Sequence, residues 1–281
     1  MNIAFIGATG MLGKPVAIEL SRLGHQLTAL VRNVEKAQSA LPPSITLLKG
    51  DIADTSSLDK AFAGADVVYL NLSIPHAAKV TDWLAERDGI KNILAAAKKA
   101  NIKRVLYLSS VIKNFKEHRW WHFDVKEEAV ELIRTGGLPY TIFYPSTFME
   151  SIQLQIQGNK LLLAGTQKFP AWWIAAKDYA KQVERSLHLE GNREYIVQGA
   201  EPLTFDTAAT RFLNAYTKKK LSIARAPLFG LELAGLFSAD LNYTWHILYA
   251  LLNYEEKFES EKTWQDLGKP TITIEDYAKS L

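Results

Sequence analysis

Short apolar runs alternate with amphipathic segments through the first half of the chain. The apolar runs predict buried parallel strands at residues 2–6, 27–31, 45–49, 67–70, 104–108 and 140–144. The segments between them, with apolar residues three and four positions apart, predict helices at residues 11–23, 34–40, 57–63, 79–100 and 118–134. Strands that alternate with helices through short turns are typical of a doubly wound parallel sheet.

The turn between the first strand and the first helix is rich in glycine. It reads Gly7-Ala8-Thr9-Gly10-Met11-Leu12-Gly13. In such a turn the first glycine permits a tight bend, the second lets the backbone approach a pyrophosphate, and the third allows close packing of helix on strand. The free amides of the helix N-terminus would then bind the phosphates. The strand–turn–helix context predicts a dinucleotide site that includes Gly7, Thr9, Gly10, Met11, Leu12 and Gly13.

The end of the second strand indicates which dinucleotide binds. A site that prefers NAD places a carboxylate there to bind the ribose hydroxyls, but this chain has Arg32, followed by Lys36 one turn later. A guanidinium can pair with a 2′-phosphate through bidentate, charge-assisted hydrogen bonds. We therefore predict NADP(H) as the cofactor, with NAD(H) as the weaker alternative, and assign Arg32 and Lys36 to the 2′-phosphate.

The regular alternation ends after Pro145, where only a strand-like run at 194–197 and a helix-like run at 205–216 stand out. We predict an α/β doubly wound parallel-sheet Rossmann fold with a smaller C-terminal substrate-binding part. Residues 1–150 would form the NAD(P)-binding domain. Residues 151–281 would form a mostly helical part over the carboxyl edge of the sheet, and some of its segments would return to the Rossmann core.

Composition narrows the class of protein further. The chain has 33 Lys and Arg against 30 Asp and Glu, and the basic residues are scattered, which argues against a nucleic-acid partner. Cysteine is absent, so disulfides, thiolate nucleophiles and cysteine-ligated metals are excluded. The apolar stretch 228–253 carries Glu232, Asp240 and His246, so we interpret it as buried or pocket-lining helices and not as a membrane span. We expect a soluble, cytoplasmic protein with no membrane partner.

Several motifs together resemble one family. Residues 7–13, 31–33, 49–54 and 105–110 are similar to those of the atypical short-chain dehydrogenase/reductase group. Residues 138–149, with the ending at 267–270 and 273–277, narrow the resemblance to its NmrA-like, nucleoside-diphosphate-sugar-epimerase-like branch. The match covers about the first 150 residues in register and is patchy afterwards.

The resemblance implies further cofactor contacts at the carboxyl ends of strands. Asp51 and Ile52, after the third strand, would flank the adenine. Asn71, Leu72 and Ser73, after the fourth strand, would line the path from adenine to nicotinamide, and Pro145 would lie at the end of the sixth strand. Ligands of open α/β sheets bind at this edge, which supports the set as a whole.

The resemblance also implies a catalytic set, from which this chain departs. The family's reductases and epimerases use a Ser or Thr after the fifth strand and a Tyr followed four residues later by Lys. Ser109 and Ser110 occupy the serine position and Lys126 the lysine position, but His122 stands where the family has Tyr. His122 and Lys126 share one helix face, and an imidazole can act as a general acid near neutral pH. Lys126 is also predicted to bind the nicotinamide ribose.

These residues leave three functions open. The first is an NADP(H)-dependent oxidoreductase that reduces a small carbonyl, quinone-like or conjugated substrate in a pocket lined by apolar and aromatic residues of the second half. The alternative is a non-catalytic NADP(H)-binding sensor or regulator of the NmrA type with a protein partner, which the missing Tyr favours. A nucleotide-sugar epimerase ranks lower. No third ligand accompanies His118 and His122, so we expect no metal site.

Overall fold

The computed structural model describes residues 1–281 and is built around a seven-stranded sheet in which every pairing is parallel. The strands are β1 (Asn2–Ile6), β2 (Gln26–Val31), β3 (Thr46–Lys49), β4 (Val67–Leu70), β5 (Arg104–Leu108), β6 (Tyr140–Pro145), β7 (Ile156–Gln157), β8 (Lys160–Ala164), β9 (Ala171–Trp172), β10 (Arg193–Val197), β11 (Pro202–Leu203) and β12 (Ser222–Ala226). The helices are α1 (Gly13–Arg22), α2 (Val34–Gln38), α3 (Thr55–Phe62), α4 (Ile90–Lys99), α5 (Trp121–Thr135), α6 (Ala176–Ser186), α7 (Phe205–Ala215), α8 (Leu228–Gly235), α9 (Ala239–Asn253), α10 (Glu261–Leu267) and α11 (Ile274–Ser280). This architecture confirms the predicted doubly wound Rossmann fold.

The strand order, β10-β6-β5-β4-β1-β2-β3, reverses direction at β1. The chain moves outward from β1 through β2 to β3 and then crosses back to β4 on the other side of β1. Ile6 is therefore in register with Leu30 on one side and with Leu70 on the other. A crevice outside the carboxyl ends of the strands forms at such a switch point, and open α/β sheets bind their ligands there.

Two apolar layers cover the two faces of the sheet. Successive side chains of a strand point to opposite faces, so Phe5 packs against Val16 and Leu20 of α1 while Ile6 packs in the layer that contains Ile93 of α4. All of these side chains are at most 5% exposed. Both faces of β1 are buried, which explains its continuous apolar sequence.

Segments of the second half complete the Rossmann core. Strand β10 extends the sheet beside β6, and α6 packs against α1. Tyr179 of α6 reaches the sheet, where its hydroxyl accepts a hydrogen bond from the Tyr69 hydroxyl at 3.0 Å. A separate apolar cluster joins α7 and α11 through Phe212, Ala278 and their neighbours.

The six predicted strands are present, with ends that differ by at most one residue, but two predicted helices start three or more residues too early. The helix predicted over 79–100 is wrong in its first part, because a π-helical turn at Ala85–Gly89 precedes α4. The segment before that turn is not helical. The Arg87 side chain holds it in place by donating hydrogen bonds to the carbonyls of Val80 and Asp82. The helix predicted from residue 118 begins at Trp121, after Trp120 in an extended conformation.

The prediction that the apolar stretch 228–253 is buried is wrong for its first part. Helix α8 has no buried residue. Phe229, Leu233 and Leu236 are 63%, 58% and 76% exposed, and Phe237 beyond the helix is 91% exposed. Helix α9 is partly buried through Ala250 and Leu252. None of the helices has both the length and the hydropathy that crossing a bilayer requires.

The hydrogen bond between Tyr69 and Tyr179 provides a test of how firmly the second half holds the sheet. Replacing either tyrosine by Phe leaves the other hydroxyl buried without a partner, so each variant should lose about 1–2 kcal/mol of unfolding free energy in urea titrations. The double variant should lose less than the sum of the two, because no hydroxyl is then left unpaired. Strictly additive losses would contradict this coupling.

Candidate functional site

The turn between β1 and α1 packs so closely, on itself and on the end of β4, that two of its positions have no room for a side chain. Gly7 has φ +87°, and a Cβ there would lie 2.0 Å from the carbonyl oxygen of Asn71. A Cβ at Gly13 would lie 2.0 Å from the carbonyl oxygen of Gly7. Both glycines are therefore required for this packing, as the sequence predicts.

The same turn presents free hydrogen-bond donors at the start of α1. The backbone amides of Met11, Leu12 and Gly13 have no acceptor within the protein, whereas the Gly10 amide donates to Gly7 O at 3.1 Å. The first turn of α1 contains no acidic residue, and no side chain caps it. Unpaired amides at the positive end of a helix dipole form an anion site, so this turn fits a pyrophosphate. Thr9 lies exposed in the same turn.

Two basic side chains are available where β2 ends. Arg32 and Lys36 are exposed and form no ion pair within the protein. The Asn33 side chain between them is occupied, since its Oδ1 accepts from the amide of Lys36 and caps α2. The two cations therefore remain free to bind an anionic group beside the turn.

The other predicted cofactor positions follow β3, β4 and β6. Asp51 Oδ1 accepts from the Ala53 amide, and the carbonyl of Ile52 accepts from the Asn92 side chain. The Asn71 amide donates to Ile6 O at 3.0 Å and so continues the ladder past the end of β4. Leu72 is buried and Ser73 is exposed, and Pro145 ends β6 in register with Val197. All of these residues lie at the carboxyl edge of the sheet, and their contacts with the cofactor stay a prediction.

Lys126 of α5 is held by a buried carboxylate that the sequence analysis missed. Its Nζ lies 2.6 Å from Glu86 Oε1, and the same oxygen accepts a hydrogen bond from the Tyr107 hydroxyl at 2.8 Å. The Glu86 side chain is 1% exposed and comes from the π-helical turn before α4, while the Lys126 side chain is 24% exposed. Burial and the neighbouring carboxylate raise the pKa of Tyr107 well above its usual value. The lysine is thus fixed on one side and open on the other.

His122 lies on the same helix face as Lys126 but among aromatic rings. Its ring stacks on Trp120, with centroids 3.9 Å apart, and also contacts Trp121. Burial, and to a smaller extent the charge of Lys126, lower the pKa of His122 to about 4. The imidazole is therefore neutral at pH 7, which disfavours the predicted role as a cationic general acid. Both side chains line a cavity of about 50 Å³.

The two serines after β5 differ in their surroundings. Ser109 Oγ is buried and has no hydrogen-bond partner within the protein. Ser110, one residue later, lines a cavity of about 220 Å³. Met11 and Leu12 line the same cavity, so it opens directly onto the glycine-rich turn. Most of its lining is hydrophobic.

One carboxyl group lies in this cavity, and it too was missed. Glu256 Oε2 accepts from Ser146 Oγ at 2.6 Å, and its Oε1 accepts from Gln198 Nε2 at 2.7 Å. Burial raises the pKa of Glu256, while these donors act in the opposite direction. Neither Glu86 nor Glu256 belongs to a recognisable motif, since each stands in a short run of charged residues.

The steric constraint at Gly13 leads to a prediction for cofactor binding. In Gly13→Ala the new Cβ would clash with Gly7 O, which must displace the turn and its free amides. We expect at least a ten-fold loss of NADPH affinity, measured by fluorescence titration. Gly230→Ala is the matched control, because a Cβ there meets nothing within 4 Å. Unchanged affinity in a folded Gly13→Ala variant would contradict the assignment of the turn.

Comparisons with known proteins agree with this geometry. A family model described as NAD(P)H-binding matches residues 7–188. The photosystem II assembly factor Ycf39 of Trieres chinensis is 25% identical and aligns with 98% of this chain and 88% of its own length. The isoflavone reductase homolog IRL of Zea mays is 38% identical, over 32% of this chain and 33% of its own length.

Among solved structures, the triphenylmethane reductase of Citrobacter sp. complexed with NADP(H) superposes with a TM-score of 0.73 at 23% identity and full coverage of both chains. The NADPH-dependent quinone oxidoreductase QOR2 of Escherichia coli, complexed with NADPH, gives 0.71 at 21% identity, with 100% of this chain and 99% of that one covered. These likenesses show the fold. The family model agrees with the resemblance to NmrA-like, atypical short-chain dehydrogenases/reductases. Because it matches more than half of the chain, this chain belongs to the NAD(P)H-binding family.

Proposed function

We propose that the protein is an NADP(H)-dependent reductase of a small, mostly apolar carbonyl, quinone-like or conjugated compound. One observation carries the proposal: Met11 and Leu12 offer free amides to the cofactor phosphates and also line the apolar cavity of about 220 Å³. A substrate in that cavity would therefore lie beside the bound dinucleotide. The volume suits a small molecule, and sites for such molecules are mostly apolar with a few polar groups.

The bound NAD(P)H supplies the hydride, and the protein binds, orients and encloses the reactants. The amides of Met11, Leu12 and Gly13 would hold the pyrophosphate, and Arg32 with Lys36 would hold the 2′-phosphate. Two polar groups in the cavity, Ser110 and the Ser146–Glu256 pair, would orient a polar atom of the substrate. The buried carboxyl of Glu256 disfavours an anionic substrate there.

Lys126 is the group we assign as proton donor. Its ammonium is held by Glu86 at 2.6 Å, which fixes the position of Nζ. Ser73 lines the same small cavity, after the end of β4, so the amine faces the predicted path of the cofactor. An ammonium at this place can donate a hydrogen bond to a ribose hydroxyl or a proton to a substrate oxygen.

The assignment of Arg32 predicts the cofactor preference. Charge-assisted hydrogen bonds contribute about 1.5–3 kcal/mol each, so Arg32→Ala should weaken NADPH binding at least ten-fold and leave NADH binding nearly unchanged. Titrations of both nucleotides measure the two affinities. Lys60→Ala removes an exposed cation near the C-terminal end of α3, at the opposite edge of the sheet, and should change neither affinity. Equal affinities of the unaltered protein for NADPH and NADH would contradict the assignment of Arg32 to the 2′-phosphate.

The contrast between Lys126 and His122 predicts the catalytic outcome. Lys126→Met should lower the turnover of NADPH with a quinone or carbonyl panel by about 100-fold, the contribution typical of a general acid. His122→Phe should keep turnover within about three-fold, since the ring is neutral and stacked. For the same reason the pH–rate profile should show no inflection near 6.5 that His122→Phe removes.

Lys126→Met leaves the buried Glu86 with Tyr107 as its one remaining partner, which should destabilise the fold. Melting temperatures therefore serve as the control for folding. The double variant Glu86→Gln/Lys126→Met removes both charges and should be equally slow but more stable than the single variant. A fast Lys126→Met enzyme would exclude the lysine as proton donor.

The second candidate is an NADP(H)-binding protein that acts on a protein partner without turnover. It is supported by the full-length similarity to proteins named assembly factors and by the exposed apolar side chains of α8. Its partner would offer an apolar surface complementary to Phe229, Leu233, Leu236 and Phe237. Tight NADPH binding without turnover on every class of acceptor in the panel would favour this candidate over the reductase.

A further inference from the structure

A second and larger cavity, of about 710 Å³, lies on the outer side of α1. It is bounded by α1, by the start of α6, by residues 150–154 and by the C-terminal helix α11. Met11 contributes to both this cavity and the smaller one beside the cofactor turn. Met11 is the one predicted cofactor contact that lines this space, so the dinucleotide assigned above would not fill it.

A carboxylate oxygen without a partner lies in the wall of this cavity. Glu150 is 8% exposed, and its Oε1 accepts from the Ala176 amide at 3.0 Å, at the start of α6. Its Oε2 is buried and has no hydrogen-bond partner. Burial raises the pKa of Glu150 to about 7. A buried carboxylate oxygen without a donor costs free energy, and a donor placed in the cavity would satisfy it.

The charges of the remaining lining restrict what that donor can belong to. Lys14 and Lys177 are exposed, line the cavity and form no ion pair. Asp276 also lines it as the one acidic side chain besides Glu150, and its carboxylate accepts from the amide and hydroxyl of Thr273, which lower its pKa. The two unpaired lysines outnumber the Asp276 carboxylate, so the lining favours an anionic group over a cationic donor such as an amine. Half of the lining residues are hydrophobic.

We propose that this cavity is a binding site for a small amphipathic hydroxy acid. The hydroxyl of the ligand donates to Glu150 Oε2, the apolar body contacts residues such as Ile18 and Ile272, and the carboxylate pairs with Lys14 and Lys177. Binding of this ligand does not depend on which reaction takes place in the cofactor cleft. The site is therefore separate from the proposed reductase function. A neutral hydroxyl is the donor that matches both the buried carboxylate and the cationic lining.

Two probes that differ in one hydrogen-bond donor test the site. Para-hydroxyphenylpropionate and para-methoxyphenylpropionate have the same apolar body and the same carboxylate, but the ether cannot donate. Calorimetric titration of the full chain, with NADPH present in excess to fill the cofactor cleft, should give about ten-fold tighter binding of the hydroxyl compound. Equal affinities, or no binding of either probe at millimolar concentration, would overturn the proposal.

Variants then locate the binding. Glu150→Gln keeps an oxygen for the Ala176 amide but turns a donor toward the cavity, so the preference for the hydroxyl probe should fall to within about two-fold. Lys14→Ala/Lys177→Ala should weaken the binding of both probes and leave the ratio of their affinities unchanged. Ile247→Trp, which fills the smaller cavities beside the cofactor, should change the affinity of neither probe. A preference that survives Glu150→Gln, or binding that Ile247→Trp abolishes, would place the probes elsewhere. Should Glu150→Gln fail to fold, the lysine and Ile247 variants still decide the location.

Discussion

The contact between the β1–α1 turn and the end of β4 is the constraint on which the cofactor site depends. Gly7 and Gly13 let the backbone pack with no side chain in between, since Asn71 O occupies the space that a Cβ at Gly7 would need and Gly7 O the space that a Cβ at Gly13 would need. This contact fixes the first turn of α1 at the switch point of the sheet, so its amides face the crevice. The positions of Arg32, Ser110 and Lys126 matter because they surround this fixed point.

The second determinant is a charge pair in an apolar wall. Taking Glu86 and most of the Lys126 side chain out of water costs several kcal/mol, and their 2.6 Å contact together with the Tyr107 hydroxyl offsets that cost. Removing one partner of such a pair typically destabilises a protein by about 3–5 kcal/mol. The π-helical turn at Ala85–Gly89 sets the place of the carboxylate, and such turns often occur at functional sites. The amine is therefore positioned before any ligand enters.

The sequence allowed the tight glycine turn and all six strands of the first half to be predicted, because each depends on a short, local pattern. The missed residues depend on long-range contacts. Glu86 meets Lys126 across 40 residues, and Glu256 meets Ser146 across 110. No periodicity marks either one. The exposure of α8 was also missed, because an apolar sequence does not tell whether another part of the chain covers it. Likewise His122 could be placed on its helix face, but its stacking on Trp120 could not.

Buried carboxylates also explain how the second half is attached to the first. Glu150 accepts from the Ala176 amide at the start of α6, and Glu256 connects Ser146 to Gln198. Within the second half, Asp178 of α6 accepts from the amides of Thr271 and Ile272. Apolar contacts alone tolerate small shifts of one layer over another, whereas hydrogen bonds to backbone amides fix direction as well as distance. Because these joints border the two larger cavities or lie next to them, the cavity walls keep a defined shape although the segments that form them are far apart in sequence. A part of the chain with little regular alternation can thus present fixed walls to small molecules, while α8, which has no such joint, remains exposed to solvent.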